Sequence, residues 1–309
     1  MSNAKLVEAG VLGLLIGDAL GVPYEFHKAS EIPPLDQIEY QPPDGFARAH
    51  AGVPPGTWSD DGAQALCLLD SLLELGRFDA IDLARRLLRW HSAGYMAVDA
   101  NVFDIGITTA RALRTIKRGR VHPLDAGPDG PYDNGNGALM RVLPLALLHK
   151  GTDEELVQDA HLQSRLTHGH LRSQVCCSLY CLWARNIMSG ESRPWEAAVA
   201  RLRDIYKSEP GATEELEWNL RPDDPPIGTG SGYVVDSIRS ARWALEQGSY
   251  EDVVKAAISL GNDTDTTACI AGGLAAIRDG MDAIPQRWID GLRGREVLDP
   301  LLVRIRQTA

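Results

Sequence analysis

The sequence predicts an all-α protein. Apolar residues recur at three- and four-residue steps through almost the whole chain, and the alternating runs that make strands are nearly absent. The segments on either side of every long loop also share one alanine-rich, apolar character, which argues against a linker between units. The expectation is a compact helical bundle forming a single domain over residues 1–309, a length that allows a large buried core.

The first helix is expected over 5–20. Its lysine followed by an apolar run raises the question of a signal peptide, but Asp18 interrupts the run and no small-residue cleavage site follows. No stretch comes close to the roughly 20 apolar residues of a membrane span. The segment reads as the buried first helix of a cytoplasmic protein with no membrane association. Further helices are expected over 60–75, 79–92, 101–117, 137–149, 153–162, 170–188, 194–206, 233–247, 250–259, 266–279 and 283–292. Three long loops rich in Pro, Gly and Asp separate some of them, at 33–57, 119–137 and 208–232, and loops of such length in a compact protein are usually functional.

Composition excludes several classes. With 44% hydrophobic, 24% charged and 6% aromatic residues the chain has enough apolar surface to fold, so extensive disorder is excluded. A net charge of −11 and the lack of any long Lys/Arg run argue against a nucleic-acid partner. The five cysteines, an odd number, all lie in apolar helical patterns and read as reduced core thiols. Cys176, Cys177 and Cys181 do not make a metal cluster on this reading, because adjacent residues point to different sides of a helix.

Chemistry concentrates at two helix starts. Ser59, Asp60 and Asp61 precede an apolar helical run that Gly76 ends, and taken alone they need be only a cap and a favourable first turn. Asp263, Asp265, Thr266 and Thr267 repeat the pattern ahead of a second helix. Two such starts together have the composition of an oxygen-only site for Mg²⁺ or Mn²⁺, and no nearby Cys or His suggests zinc. Two glycine-rich turns, Gly135-Asn136-Gly137 and Gly230-Ser231-Gly232 before Tyr233, are expected to open helices whose free N–H groups can bind an anion, although glycine serves plain turns as readily. His168 and His170 precede a further helix, where His168 is either a structural residue or a partner for a base or ribose.

In order along the chain, "GLLIGDALGVPYEF", "GTWSDD", "NVFDIGITTARAL", "NGNGALMR", "SRLTHGH", "GSGYVVDSI" and "GNDTDTTACIAGGLA" resemble the ADP-ribosylglycohydrolase (ADP-ribosylhydrolase) family, over about residues 10–280. The resemblance implies an all-α bundle of that type with two Mg²⁺ or Mn²⁺ ions. Its ligands carry over to Ser59, Asp60, Asp61, Asp263, Asp265 and Thr266; the family commonly has Thr where Ser59 stands, which keeps the hydroxyl. Glu25 matches a glutamate that sits at the metal site or gates it. Gly135, Asn136, Gly137, His168, Gly230, Ser231, Gly232 and Tyr233 match segments that hold the diphosphate and the adenine-side nucleoside. Asp104, in "FDIG", looks like the catalytic or ribose-contacting aspartate of an arginine-specific bacterial branch; otherwise it would be a polar residue on a helix surface.

The implied reaction is hydrolysis of the N-glycosidic bond of ADP-ribosylated arginine on a protein, releasing ADP-ribose. Such cleavage passes through an oxocarbenium-like transition state, and two metals can bind ribose hydroxyls and acidify water. Asp60, Asp61, Asp263, Asp265 and Glu25 roughly neutralise two divalent ions, leaving Asp104 free for acid–base work. Other ADP-ribose linkages (serine or O-acetyl), a two-metal diphosphatase and a non-catalytic ADP-ribose binder are the alternatives.

Overall fold

Fourteen α-helices follow one another in the computed structural model, which describes residues 3–308: α1 (Asn3–Gly21), α2 (Asp60–Leu75), α3 (Ala80–Ala93), α4 (Ile107–Arg118), α5 (Leu143–Leu148), α6 (Asp153–Arg165), α7 (Leu171–Met188), α8 (Pro194–Tyr206), α9 (Pro210–Glu214), α10 (Val234–Leu245), α11 (Tyr250–Ser259), α12 (Thr264–Asp279), α13 (Gln286–Gly291) and α14 (Arg295–Thr308). No strand occurs among the described residues, and the only pairings of that kind are two isolated bridges, Lys28 with Gly261 and Gly135 with Tyr233. The all-α architecture is as the periodicity predicts.

Helix α1 is the central element. Every residue from Val7 to Gly21 is buried, including Asp18. By length and composition the stretch Asn3–Tyr24 is apolar enough to cross a bilayer, with a mean hydropathy of 1.6, contrary to the sequence reading; 94% of that window is buried inside the protein. Its closest partner is α12. A Cβ added at Gly13, Gly17 or Gly21 would lie 2.3 Å from Ala276 Cβ, 2.1 Å from Ala268 O or 2.4 Å from Asp265 Cα, so the two backbones meet with no side chain between them. Thr264 Oγ1 donates to Gly21 O at 2.8 Å and fixes the register at the end where both helices reach the cavity described below.

Around this pair the other helices complete one continuous hydrophobic core. On the far side of α2 from the cavity, Asp70 is buried against Arg86 of α3, Tyr95 and Arg304 of α14. Arg86 in turn binds Asp82 at 2.6 Å and Glu74 at 2.7 Å. Such a buried charge network costs desolvation and is stable only because every member has partners.

The structure corrects four sequence expectations. Residues 101–106 are not helical: α4 starts only at Ile107, because Val102 and Ile105 pack on the core from an irregular segment in which Asp104 takes φ 57°. The helix expected over 137–149 shrinks to α5, preceded by successive turns, since Pro144 fits only the first turn of a helix. The loop 208–232 contains α9 and a π-helical stretch, Glu215–Leu220. Helix α14 escapes the sequence reading because Pro300 sits inside it, yet Leu298, Leu301, Leu302 and Ile305 form a buried stripe at helical spacing.

The α1–α12 contact gives a direct test. Gly17→Ala is expected to destabilise the protein by roughly 2 kcal/mol or more, as overpacking against backbone does. Gly52→Ala, where an added Cβ meets nothing within 4 Å, is expected to stay within about 0.5 kcal/mol of wild type. Urea unfolding of the two variants side by side measures the difference, and equal midpoints would show that the close approach carries no constraint.

Candidate functional site

The start of α2 is held by a carboxylate from α1. Asp18 accepts from the Ser59 N–H at 2.9 Å and from the Gly62 N–H at 2.7 Å, while Ser59 Oγ accepts from the Asp61 N–H at 3.2 Å. Because Asp18 and Ser59 satisfy the free donors of this helix end, Asp60 and Asp61 are not needed as caps. Asp60 Oδ2 accepts from Gln64 Nε2 at 2.7 Å. Asp61 Oδ2 is buried with no hydrogen-bond partner.

The start of α12 repeats this. Asp263 stands at the N-cap position, yet its side chain makes no cap; its Oδ2 accepts from Asn136 Nδ2 at 2.8 Å. Asp265 Oδ1 accepts from the Thr266 N–H at 2.8 Å, and its Oδ2, like that of Asp61, is buried and unpartnered. The two acidic starts face one cavity of about 640 Å³, whose wall includes Asp60, Asp61, Asp263 and Thr266. Ser59 and Asp265 lie just behind that wall, 3% and 0% exposed.

Glu25 and Asp104 line the same cavity from two irregular segments. A carboxylate oxygen of Glu25 lies within 4.8 Å of ligand atoms of Asp263 and Asp265. His50 links Glu25 to Asp104, with its Nε2 2.6 Å from Glu25 Oε2 and 3.8 Å from Asp104 Oδ1. The imidazole is wedged between the rings of Phe26 and Phe103, at centroid distances of 5.5 and 5.2 Å. Asp104 is therefore a cavity residue and not a helix-surface one. Glu25 is fixed from the other side too: Phe26 N–H donates to Asn262 O at 2.7 Å and Asn262 N–H to His27 O at 2.6 Å, tying this lip to the start of α12.

The glycine turns behave differently from one another. Gly135, Asn136 and Gly137 line the cavity, but they enter a series of turns and not a helix N-terminus. A Cβ at Gly137 would sit 2.8 Å from His168 Cε1, so only glycine lets the turn lie on that ring. In the second turn Ser231 and Gly232 line the cavity, whereas Gly230 and Tyr233 do not. Gly230 carries the backbone of the acidic start, accepting from the Asp263 N–H at 2.8 Å, and Tyr233 OH accepts from Arg172 at 3.1 Å. The Ser231 N–H is already used, donating to Asp236 at 2.7 Å, and so is not a free anion donor. His168 lines the cavity with Nδ1 2.9 Å from Thr167 Oγ1, and burial and the nearby Arg141 push its pKa down to about 3, so it is neutral. His170 instead caps α7, accepting from the Arg172 N–H at 3.1 Å.

A family model described as ADP-ribosylglycohydrolase matches residues 2–309. The chain belongs to the ADP-ribosylglycohydrolase family. It is 30% identical to the ADP-ribosylarginine hydrolase Tri1 of Pseudomonas putida, over 92% of this chain and 73% of the relative. It is 27% identical to the ADP-ribosyl-[dinitrogen reductase] glycohydrolase of Rhodospirillum rubrum (91% and 88%) and 24% identical to human ADP-ribosylhydrolase ARH3 (94% and 89%). A solved structure described as an ADP-ribosylglycohydrolase-related protein complex superposes with a TM-score of 0.76 at 29% identity, covering 99% of this chain and 98% of that one.

The electrostatics of this glycohydrolase cavity call for cations. Burial, followed by neighbouring carboxylates, raises Glu25 to about 10 and Asp104 to about 6, and burial raises Asp18 to about 7; Asp60, Asp61 and Asp265 are also raised well above the ordinary range. So many buried like charges cannot ionise together without a counter-charge. The two orphaned carboxylate oxygens, on Asp61 and Asp265, and the hydroxyls of Ser59 and Thr266 fit hard divalent ions such as Mg²⁺ or Mn²⁺.

Sequence reasoning missed Asp18, Gln64 and His50. A carboxylate inside the apolar run of α1 was the visible signal for Asp18, since a buried charge must have partners. His50 left no signal beyond the length of its loop.

The raised carboxylates also set a pH dependence. Their native pKa values lie above the unfolded range near 4, so the native state holds more protons, and the stability these groups contribute is complete below about pH 4; that of Asp104 and Asp18 is lost as pH rises through about 6 and 7, that of Glu25 only toward about 10. Divalent ions compete with those protons. The stabilisation by saturating Mn²⁺ over chelator, read from urea midpoints, is therefore expected to grow from about pH 5 to pH 8. A gain that shrinks over this range would contradict the assignment.

Proposed function

We propose that this protein hydrolyses the N-glycosidic bond between ADP-ribose and an arginine side chain of a modified protein, releasing ADP-ribose, with two divalent ions, Mg²⁺ or Mn²⁺, as cofactors. The carrying observation is one cavity in which two carboxylate-rich helix starts face a glycine turn and His168, with Asp104 brought into the same wall beside Glu25 from an irregular segment. The name of the P. putida relative, an ADP-ribosylarginine hydrolase, favours arginine over other linkages.

Ser59, Asp60, Asp61, Asp263, Asp265 and Thr266 would hold the ions, with Glu25 at the edge of that set. Bound there, they supply positive charge toward the ribose hydroxyls and lower the pKa of water. The chain's own residues do the rest. The Gly135–Gly137 turn and Gly232 line the ligand's path, and neutral His168 offers a hydrogen-bonding edge to it. Phe26, Ile105 and Ile107 form an apolar lip that limits water. Asp104, whose pKa of about 6 leaves it ionised at neutral pH, orients the scissile ribose and stabilises the oxocarbenium charge; as the C–N bond breaks and water adds to the anomeric carbon, it takes a proton from that water and passes it to the departing guanidine.

The deciding experiment incubates purified protein with arginine-linked and serine-linked ADP-ribosyl substrates, with Mg²⁺, Mn²⁺ or chelator. Free ADP-ribose, faster from arginine and abolished by chelation, is expected. Faster release from serine would refute the arginine assignment, AMP would mean a diphosphatase, and no product would mean a binder. Full turnover in a verified metal-free sample would refute the metal assignment.

Asp104→Asn is expected to lower kcat ~10²–10⁴-fold, about 3–5 kcal/mol of barrier, while metal content and ADP-ribose affinity stay near wild type. A kcat within about threefold of wild type would remove the acid–base role.

A further inference from the structure

The cavity presents a charge problem that its own wall does not solve. Five carboxylates line it, Glu25, Asp60, Asp61, Asp104 and Asp263, and no lysine or arginine does. The chain carries a net charge of −11, and His168 is neutral. Ions held by the acidic starts answer the carboxylates, but a diphosphate adds further negative charge toward the glycine turn. Backbone N–H groups contribute only partial charges there.

Directly behind that turn lies one buried cation. Arg141 is 0% exposed, and burial lowers its pKa only to about 10, so it stays charged at neutral pH. Among the described residues it has no ion-pair partner. Nη1 donates to Gly137 O at 3.1 Å and to Gln64 Oε1 at 3.0 Å, and Nε and Nη2 donate to Gln163 Oε1 and Gln163 O at 3.1 and 2.9 Å. Four neutral acceptors hold the guanidinium without cancelling its charge. Its compensating carboxylate, Asp60, is reached only through Gln64, whereas Arg86 elsewhere in the same core is paired directly with carboxylates. The turn is also oriented by this contact. With the Gly137 carbonyl aimed at Arg141, the N–H of the same trans peptide, on Ala138, points the opposite way, and neither the Gly137 nor the Ala138 N–H has an acceptor among the described residues. In so dry a site a fixed charge acts strongly and is hardly screened by salt.

We infer that Arg141 is a positioning residue for the anionic part of the ligand: a fixed positive charge behind the Gly135–Gly137 turn, against which a diphosphate is bound without touching the guanidinium. This inference rests on the reading of ADP-ribose as the ligand. Through Gln64, which bridges Arg141 and Asp60, the same guanidinium also helps aim one carboxylate of the acidic pair.

Calorimetry in saturating Mg²⁺ with two probes, ADP-ribose and adenosine, separates charge from shape. Arg141→Gln is expected to weaken ADP-ribose by about tenfold or more while adenosine stays within about twofold. Gln163→Glu, which keeps the shape but sets a carboxylate against the guanidinium, should give the same split, and it decides the matter if Arg141→Gln does not fold. Arg141→Lys keeps the charge and should hold ADP-ribose affinity within about threefold of wild type. Equal losses for both probes would mean a merely structural residue, and a lysine variant as weak as the glutamine one would rule out charge; either result overturns the inference. Wild-type protein that fails to bind ADP-ribose refutes the proposed function as well, whereas wild-type binding with no loss in Arg141→Gln or Gln163→Glu refutes this inference alone.

Discussion

The backbone of α1 lies directly on the backbone of α12 along Gly13, Gly17 and Gly21, and the positions of both acidic helix starts follow from that contact. It fixes where α12 begins, and with it Asp263 and Asp265. It also aims Asp18, one face around on α1, at the start of α2, so that Ser59 and Gly62 are held and Asp60 and Asp61 are left free. One helix thus sets both halves of the site. A side chain interposed between α1 and α12 would move the two acidic starts relative to each other, which matters more than the volume it adds.

Burying like charges side by side opposes folding, and the protein arranges its remaining interactions around that cost. Caps that Asp60 and Asp263 could have supplied come from Ser59, Asp18 and Asp265 instead. Asp60 and Asp263 each receive one amide donor, from Gln64 and Asn136, which steadies the carboxylate without neutralising it. Ion pairs, by contrast, are placed away from the cavity, as around Asp70. The separation keeps lysine and arginine side chains off the carboxylate-lined wall of the cavity.

The two acidic helix starts were legible because their signals are local: hydroxyls and carboxylates immediately ahead of an apolar helical period. The segment around Asp104 was misread for a related reason. Val102, Phe103 and Ile105 continue the apolar character of α4 backward, but their burial comes from packing against distant elements, which a local period does not register. Asp18 and His50 act on residues 41 and 25 positions away, at Ser59 and Glu25, so nothing in their neighbourhoods identifies their partners. The second glycine turn was half legible. Its composition announced a turn, but whether a given N–H is free depends on Asp236, which takes the Ser231 donor and the Thr229 donor alike.

The C-terminal helix brings Arg304 to Asp70 on α2 and Arg306 to Glu8 on α1, at 2.6 Å in the latter case. Two acidic groups, Glu8 and Asp70, therefore wait for partners synthesised more than 200 residues later. The same holds for α1 itself, whose glycine face is covered by α12 and whose flank is covered by α14. During translation the apolar α1 emerges well before the α12 and α14 that cover it, so the nascent chain carries an uncovered apolar surface in between. Contacts this distant in sequence slow folding and expose intermediates to aggregation. The interior is complete only once α12 and α14 are both in place.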